Sequence, residues 1–213
     1  MISDERMASF INSFASPNSD FLDKLERFSL ETNVPIVRKE MQSLMKFLLA
    51  MKKPLSVLEV GTAIGFSAVL MAENTDTSCK ITTIEKYEKR IPLAKENFAK
   101  SGYSHRITLL EGDATDILKE LTGTYDLIFM DAAKGQYINF LPDIKRLLAP
   151  GGVLLSDNVM QEGDILESRY AVERRNRTIY ARMRDYLFEL THDPELETVI
   201  LDVGDGVTIS VRK

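Results

Sequence analysis

The sequence predicts a doubly wound α/β domain, in which helices cover both faces of a mostly parallel sheet. From Lys53 onward, short apolar runs alternate with helical patterns, and this alternation is typical of parallel strands joined by helices. A glycine-containing turn follows the first of these runs, as it does where such sheets bind ligands. The last two runs flank the tight-turn sequence Gly204-Asp205-Gly206, so we expect them to form an antiparallel hairpin at the sheet edge.

The first 50 residues show a helical pattern. Apolar side chains recur at helical spacing, with an interruption at Asn33-Val34-Pro35-Ile36, where the proline disfavours helical geometry in the residue before it. We therefore expect residues 1–50 to form a helical extension that packs on the main domain or on a second subunit. The apolar positions are Phe10, Ile11, Phe14, Phe21, Leu22, Leu25, Phe28, Met41, Leu44, Met45, Leu48 and Leu49.

The strands and helices of the sheet region follow in order. The strand runs are short, apolar and β-branched, as buried parallel strands tend to be. No repeat, low-complexity tract or interdomain linker appears, so we expect residues 1–213 to form a single domain. The predicted strands are Ser56–Val60, Lys80–Glu85, Ile107–Glu111, Tyr125–Asp131, Gly152–Ser156, Thr198–Val203 and Val207–Val211. The predicted helices are Ser67–Glu73, Glu88–Ser101, Ala114–Leu121, Asn139–Leu147 and a longer stretch, Ile165–Thr191, which could begin with a loop.

Composition argues against several classes of protein. The chain of 213 residues is long enough for one large domain with a core, and it has no apolar run near the roughly 18 residues of a membrane span. Its start lacks the pattern of a secretory signal. The single cysteine, Cys79, cannot form an internal disulfide and is expected to be a small apolar residue near a strand. These features favour the cytoplasm, and 2 histidines leave little room for a histidine-based metal site or triad.

The glycine turn lies in the sequence from Val57 to Ser67, Val-Leu-Glu-Val-Gly-Thr-Ala-Ile-Gly-Phe-Ser. Glycine allows the backbone to come close to a ligand, and the helix that follows offers free N–H groups and the positive end of its dipole. This arrangement suits a nucleotide-like ligand at the carboxyl end of a parallel strand. Taken alone, the same pattern also fits an ordinary turn.

Acidic residues end the second and third predicted strands. Glu85 lies about 20 residues beyond the glycine turn, where an acidic side chain commonly accepts hydrogen bonds from ribose hydroxyls. Asp113 follows the third strand and could either contact an adenine edge or cap the next helix.

A further group of oxygen-bearing side chains ends the fourth and fifth strands. Asp131 follows one strand and Asp157-Asn158 follows its neighbour, and three protein oxygens with open positions suit Mg²⁺ or a similar hard cation. Asp157-Asn158 by itself would fit a turn. Lys134 lies close to Asp131 in the chain, and a nearby cation would favour the neutral amine, which could then act as a general base.

Arginines crowd one segment of the chain, although the formal net charge of −5 argues weakly against a general nucleic-acid binder. One interpretation is an amphipathic helix whose Tyr180, Met183 and Leu187 face the core. The other is a phosphate-binding rim beside the active site. The arginines are Arg169, Arg174, Arg175, Arg177, Arg182 and Arg184.

In combination, these motifs resemble the class I methyltransferases that use S-adenosylmethionine, and within them the cation-dependent O-methyltransferases related to catechol and caffeoyl-CoA methyltransferases. Several segments are similar to members that methylate 5-hydroxyuridine at the wobble position of bacterial tRNA. The motifs are the glycine-turn segment, Thr83-Ile84-Glu85, Gly112-Asp113-Ala114, Phe129-Met130-Asp131-Ala132-Ala133-Lys134-Gly135-Gln136-Tyr137, Asp157-Asn158-Val159 and Val203-Gly204-Asp205-Gly206.

The resemblance implies a Rossmann-like, seven-stranded sheet with an antiparallel last strand, a homodimer, and a role for each motif. Lys134 and Asp131 would be catalytic, and Arg174, Arg175 and Arg177 would be candidates for contact with tRNA. Asp131, Asp157 and Asn158 would hold Mg²⁺. The implied contacts to S-adenosylmethionine are Glu59, Gly61 and Ser67 for its methionine part, Glu85 for the ribose, Asp113 and Ala114 for the adenine, and Ile36 and Asp131 elsewhere in the pocket.

Three other functions are alternatives to methyl transfer to 5-hydroxyuridine in tRNA. An O-methyltransferase of catechol-like phenols would share the metal and the base and would differ in the acceptor pocket. A scaffold protein that keeps the fold without catalysis is disfavoured by the intact set of Asp131, Lys134, Asp157 and Asn158. A nicotinamide-dependent dehydrogenase is disfavoured because the glycine turn reads Gly-x-x-x-Gly rather than Gly-x-Gly-x-x-Gly.

Overall fold

Seven strands form one sheet in a computed structural model, which describes residues 5–213. They are β1 (Ser56–Val60), β2 (Lys80–Glu85), β3 (Ile107–Glu111), β4 (Tyr125–Met130), β5 (Leu148–Ser156), β6 (Leu196–Leu201) and β7 (Val207–Arg212). The order across the sheet is β3-β2-β1-β4-β5-β7-β6. The first five strands pair in parallel, and β7 runs antiparallel to both of its neighbours. The predicted α/β fold with an antiparallel last strand is confirmed.

Eight α-helices surround the sheet within the described residues. They are α1 (Glu5–Asn12), α2 (Asp20–Thr32), α3 (Lys39–Lys52), α4 (Phe66–Glu73), α5 (Ile91–Ser101), α6 (Ala114–Glu120), α7 (Tyr137–Leu147) and α8 (Arg177–His192), and short 3₁₀ turns cover Lys134–Gln136 and Gln161–Leu166. The part of the helical prediction that falls on residues 1–4 lies outside the described residues. No helix in the described part of the chain is long and apolar enough to cross a bilayer.

Some element boundaries differ from the prediction. The helix expected from Glu88 begins at Ile91, because Pro92 occupies its first turn, where proline is accommodated best. Strand β5 begins at Leu148 rather than Gly152, since Leu148 pairs with Tyr125 before an irregularity in the register.

The stretch Ile165–Thr191 begins with a loop, the alternative that the sequence left open, because α8 begins only at Arg177. The preceding segment forms turns that bury Val172. Arg177 stabilises these turns by donating hydrogen bonds to the carbonyls of Val172 (3.1 Å) and Tyr170 (3.3 Å). Burial of Val172 and the hydrogen bonds from the Arg177 side chain therefore override the local helical pattern.

Hydrophobic cores lie on both faces of the sheet, because successive side chains of a strand point to opposite faces. Val57 and Phe129 face the N-terminal helices α2 and α3, while Leu58 and Met130 face α7 and α8. Burial on both faces explains why the central strands read as continuous apolar runs. Cys79 is buried, as expected of a small apolar residue, and burial raises the pKa of its thiol.

Candidate active site

A cavity of about 710 Å³ opens at the carboxyl ends of the parallel strands, which is where sheets of this kind bind ligands. Its size is typical of sites for small molecules and cofactors. One end is lined by residues that follow β2 and β3, and the other by residues that follow β4 and β5. Among the predicted site residues, those that line it are Ile36, Gly61, Ser67, Glu85, Asp113, Ala114, Asp131, Lys134, Asp157 and Asn158.

The glycine turn packs directly against the backbone that leads into the other end of the cavity. A Cβ at Gly61 would lie 2.1 Å from the carbonyl oxygen of Asp131, and the φ of Gly61 is +107°. A Cβ at Gly65 would lie 2.4 Å from the ring of Phe98. Both positions therefore require glycine, and the turn sets the position of Asp131 as well as the shape of the pocket.

Glu85 is held in place by backbone donors. The amide N–H of Ala63, in the glycine turn, donates to one carboxylate oxygen at 2.8 Å, and that of Tyr87 donates to the other at 2.8 Å. Asp113 caps α6 by accepting a hydrogen bond from the Thr115 amide at 2.8 Å, and this bond lowers the pKa of the carboxyl. Asp113 also lines the cavity, so its capping role is compatible with a ligand contact.

Glu59 is fully buried next to the cavity rather than in its lining. One carboxylate oxygen accepts a hydrogen bond from the Thr83 hydroxyl, and Oε1 has no hydrogen-bond partner. Burial, with a smaller contribution from the charges of Asp131 and Glu85, raises the pKa of this carboxyl to about 7 against the lowering effect of the Ser67 and Thr83 hydroxyls. A buried carboxylate with an unsatisfied oxygen is suited to a positively charged donor, such as the ammonium group of an amino-acid ligand.

The sheet register brings the acidic residues at the opposite end of the cavity together. Met130 pairs with Ser156, so Asp131 and Asp157 both leave the sheet at the same level. The Asp157 amide donates to the Met130 carbonyl at 3.0 Å. Asp157 is 4% exposed, and burial followed by the charge of Asp131 raises the pKa of its carboxyl to about 6.

Lys134 reaches into this end of the cavity. Its Nζ lies 2.7 Å from Oδ1 of Asp131 and donates to the Tyr137 hydroxyl at 3.2 Å. The Tyr137 hydroxyl is buried and lies 2.9 Å from the Met130 carbonyl and 3.2 Å from that of Asp157. Tyr137 thus links the ends of β4 and β5 and holds the lysine beside them.

The donor set at this end fits a hard divalent cation. Asp131 and Asp157 offer carboxylates and Asn158 an amide oxygen. The pKa of Asp157 is raised by burial and then by the charge of Asp131, and the charge of a bound cation would oppose both effects. Across residues 5–213, no group of three or more His, Cys, Asp and Glu side chains is placed to hold a metal. The fit therefore depends on the amide, with open positions left for water or substrate.

Asn158 begins a strained segment that the β6–β7 turn holds in place. Positive φ values occur at Asn158 (54°), Gln161 (51°) and Glu162 (54°). The amides of residues 159 and 160 donate to the carbonyls of residues 206 and 205, at 3.0 and 2.9 Å, and the Glu162 amide donates to Oδ1 of Asp205 at 2.7 Å. The sequence predicted a hairpin turn here and missed its second role of orienting Asn158.

The predicted tRNA-contacting arginines lie outside the cavity lining. Arg175 pairs with Glu173 at 2.7 Å, and the side chain of Arg177 donates a hydrogen bond to a carbonyl of the turns that precede α8. Arg182 donates to the carbonyl of Gly135 at 3.0 Å, next to Lys134, so the arginine-rich segment abuts the acceptor side of the cavity. The amphipathic interpretation of α8 agrees with the structure, since Tyr180 and Met183 are buried.

Basic and aromatic residues that the sequence analysis did not select also line the cavity. Arg38 comes from the segment before α3, while Lys86, Tyr87 and Arg90 follow β2. The break in the helical pattern at Pro35 could have indicated that Arg38, just after it, lies in a loop near the site. Lys86, Tyr87 and Arg90 could have been selected because they follow Glu85 at the carboxyl end of β2.

Comparison with known proteins gives consistent matches over most of the chain. A model of the O-methyltransferase family matches residues 12–213. Caffeoyl-CoA O-methyltransferase 1 of Arabidopsis thaliana is 33% identical over 171 residues, which cover 74% of this chain and 63% of that protein, so the chain spans less than two thirds of this relative. Caffeoyl-CoA O-methyltransferase 5 of Nicotiana tabacum is 33% identical, with 74% of this chain and 68% of that protein covered.

Solved structures show the same architecture. The SAH-bound methyltransferase PaMTH1 of Podospora anserina superposes with a TM-score of 0.88 at 30% identity and covers 98% of this chain and 94% of that one. A Staphylococcus aureus protein, provisionally named a caffeoyl-CoA O-methyltransferase, superposes with a TM-score of 0.90 at 31% identity, with 99% and 100% of the two chains covered.

Proposed function

The chain belongs to the O-methyltransferase family, and we propose that it transfers a methyl group from S-adenosylmethionine to the 5-hydroxyl of 5-hydroxyuridine at the wobble position of tRNA, giving 5-methoxyuridine. The observation that carries the chemistry is the meeting of Asp131, Lys134, Asp157 and Asn158 at one end of a cofactor-sized cavity. The proposal includes a cytoplasmic location, where tRNA is found.

The use of S-adenosylmethionine is supported by the SAH-bound relative and by the other end of the cavity. When bound, this cofactor supplies an electrophilic methyl carbon on its sulfonium. Glu85, held by two amides, is placed to accept hydrogen bonds from ribose hydroxyls. Glu59 offers an unpaired carboxylate oxygen to the ammonium group, and Ser67 lines the cavity next to it.

Acceptor activation is assigned to Lys134 and its neighbours. A divalent cation held by Asp131, Asp157 and Asn158 would supply positive charge that favours an ionised acceptor oxygen. The charge of that cation would favour the neutral amine of Lys134, whose lone pair would then take the proton that the acceptor hydroxyl loses and release it to solvent afterwards. Asp131 and Tyr137 keep that amine in position, and correct placement of the two reacting atoms contributes most of the remaining rate gain.

The tRNA acceptor is supported by the exposed arginines of the segment that abuts Lys134. Arg174 makes no side-chain hydrogen bond or ion pair with other described residues, and Arg175 has 80% of its side-chain surface exposed. A small phenol is the second candidate acceptor, because caffeoyl-CoA O-methyltransferase 1 of Arabidopsis thaliana is 33% identical to this chain over 171 residues. The two candidates share the metal site and the lysine and differ only in the acceptor.

Comparison of acceptors tests the proposal directly. Purified protein with S-adenosylmethionine and Mg²⁺ is expected to convert 5-hydroxyuridine in tRNA from cells that lack the gene to 5-methoxyuridine, as measured by mass analysis of the nucleosides. Excess EDTA is expected to stop the reaction. Methylation of a catechol with no change in the tRNA would favour the phenol instead, and full activity in EDTA would remove the cation from the mechanism.

Charge reversal at Arg174 and Arg175 is expected to weaken tRNA binding. Each lost phosphate contact should also flatten the slope of log affinity against log salt by about 0.7 to 0.9 units. Filter binding at several salt concentrations measures both effects. The matched control is charge reversal of the exposed Lys24 and Arg27 on α2, which changes the net charge equally. Equal losses in the two double variants, or unchanged binding, would contradict the assignment.

A homodimer is also part of the proposal. The N-terminal helices present exposed apolar side chains that are unusual on the surface of a monomer. The partner would be a second copy of the chain, and the oligomeric state in solution is measured by light scattering. The exposed residues are Met7, Phe10, Ile11, Phe14, Leu30, Phe47 and Met51.

A further inference from the structure

Four basic side chains line the cavity, and three of them have local partners. Lys86 pairs with Asp113 at 3.2 Å, and Lys134 pairs with Asp131 at 2.7 Å. The guanidinium of Arg90 lies over the ring of Tyr87, 5.3 Å from its centre. Arg38 differs, because its side chain makes no hydrogen bond or ion pair with any group in residues 5–213.

Arg38 lies at the acceptor end of the cavity rather than at the adenine end. Its Cδ would be 3.9 Å from a Cβ at Gly204. Burial raises the pKa of the Asp205 carboxyl, and the nearby charge of Arg38 offsets part of that rise. Asp205 is in turn the residue that holds the segment after Asn158. Arg38 therefore lies beside the β6–β7 turn that holds the segment after Asn158.

The exposed guanidinium has no structural role that explains it. It precedes α3 as the residue at the helix N-cap, but its side chain makes no capping hydrogen bond. The carboxylate whose pKa it influences, Asp205, accepts its hydrogen bond from the Glu162 amide instead. A planar fork of donors at the edge of a ligand cavity is matched best by an oxyanion that can accept two parallel hydrogen bonds.

We propose that Arg38 binds a phosphate group of the acceptor, next to the base that is methylated. This inference rests on the proposed function, since the acceptor must be a nucleotide. Phosphate contacts position a nucleic acid without reading its sequence, so Arg38 would orient the wobble nucleotide while the residues at the ends of β4 and β5 act on its base. The arginines before α8 would contact more distant phosphates.

The experiment compares acceptors that share one reacting ring and differ in phosphate. Methylation of 5-hydroxyuridine, its 5′-monophosphate and its 3′-monophosphate is measured with the unaltered protein, Arg38→Gln, Arg38→Lys and Arg27→Gln. Arg27 is an exposed arginine on α2 outside the cavity lining, so its variant controls for loss of one charge. Thermal unfolding of each variant checks that the fold is retained.

The unaltered protein is expected to prefer one monophosphate over the nucleoside by about tenfold in kcat/KM, which is the scale of one charge-assisted hydrogen-bonded contact. Arg38→Gln should reduce the ratio of kcat/KM for the monophosphate to kcat/KM for the nucleoside to about one. Arg38→Lys should keep part of the preference, and Arg27→Gln should keep all of it. A preference retained in Arg38→Gln would overturn the assignment.

The remaining outcomes separate this inference from the proposed function. Turnover of nucleoside and monophosphates at equal efficiency by the unaltered protein would overturn the phosphate site and leave the tRNA function standing. Methylation of catechol, with none of tRNA or the uridine acceptors, would overturn both. The same variants are also assayed with caffeoyl-CoA and caffeic acid as acceptors. A loss in Arg38→Gln confined to the preference for caffeoyl-CoA over caffeic acid would assign the phosphate to a CoA thioester and overturn the nucleotide assignment.

Discussion

Replacing Asp157 by asparagine is expected to lower methyl transfer by at least ~10²-fold while stabilising the cation-free protein. Loss of groups that merely support a metal site already costs about 10–100-fold in metal affinity or activity, and Asp157 is proposed as a direct ligand. Asparagine keeps the shape and can still accept the hydrogen bond from the Asn158 amide. Binding of SAH, measured by titration calorimetry, is expected to survive.

The gain in stability follows from the raised pKa of Asp157, about 6 in the folded protein against 3.8 for the ordinary carboxyl. Between these values the folded state binds more protons than the unfolded state, so stability falls as pH rises from about 4 to about 6 and then levels off. At pH 8 the ionised carboxylate costs about 2–3 kcal/mol, which the asparagine variant avoids. At pH 4 the two proteins should be nearly equally stable.

Urea unfolding in EDTA at pH 8 and pH 4 measures this difference. Asp76→Asn is the control, because Asp76 is outside the cavity and hydrogen bonds from Ser78 lower the pKa of its carboxyl, so no gain is expected there. Added Mg²⁺ should stabilise the unaltered protein and have much less effect on Asp157→Asn. Equal stabilisation of both by Mg²⁺ would show that Asp157 does not hold the cation.

The meeting of the acidic residues at one edge of the sheet could be predicted, because it depends mainly on where the strands lie in the sequence and on their parallel arrangement. Strands β1, β2 and β3 occupy the predicted residues, since each is a short apolar run bounded by polar or turn-forming residues. Once neighbouring strands are parallel, an acidic residue directly after each must emerge at the same edge. Asp131 and Asp157 meet for this reason alone.

The parts that could not be predicted depend on burial and side-chain contacts that the hydrophobic pattern does not record. The turns before α8 look helical in sequence, and only the packing of Val172 and the hydrogen bonds of Arg177 explain their conformation. The hydrogen bond from the Glu162 amide to the Asp205 carboxylate joins residues 43 apart in the chain, so no local sequence pattern indicates it. Arg38 reaches the cavity because of how the N-terminal helices pack, which periodicity does not specify.

At the other end of the cavity, Glu59→Gln is expected to weaken SAH binding by about 30-fold or more. Removing one partner of a buried, hydrogen-bonded charge pair costs roughly 2–5 kcal/mol. The neutral amide would remove the charge that the ligand ammonium is proposed to meet and leave the fold intact, because Thr83 can still bond to it. Glu96→Gln, at an exposed position that pairs with Lys100, is the control for loss of a carboxylate.

The pH dependence of binding provides a second and sharper readout. The pKa of Glu59 is raised to about 7, and a bound ammonium group would lower it, so binding releases a proton near neutral pH. Affinity for SAH should therefore be highest above pH 7 and fall about tenfold between pH 8 and pH 6. The titration is made in the Asp157→Asn background, so that the raised pKa of Asp157 does not contribute to the pH dependence.

Glu59→Gln in that background should bind SAH weakly at every pH between 6 and 8, with the pH dependence removed. A flat profile in the protein that keeps Glu59, or an unchanged profile in the variant, would rule out this carboxylate as the ammonium partner. Because the folded pKa of Glu59 is also raised, its ionised form destabilises the ligand-free protein above pH 7, and the glutamine variant should unfold at higher urea there. The same physical principle would then apply at both ends of the cavity. The buried carboxylates of Asp157 and Glu59 lower the stability of the ligand-free protein, and the positive charge of the bound cation or ammonium group offsets that loss of stability.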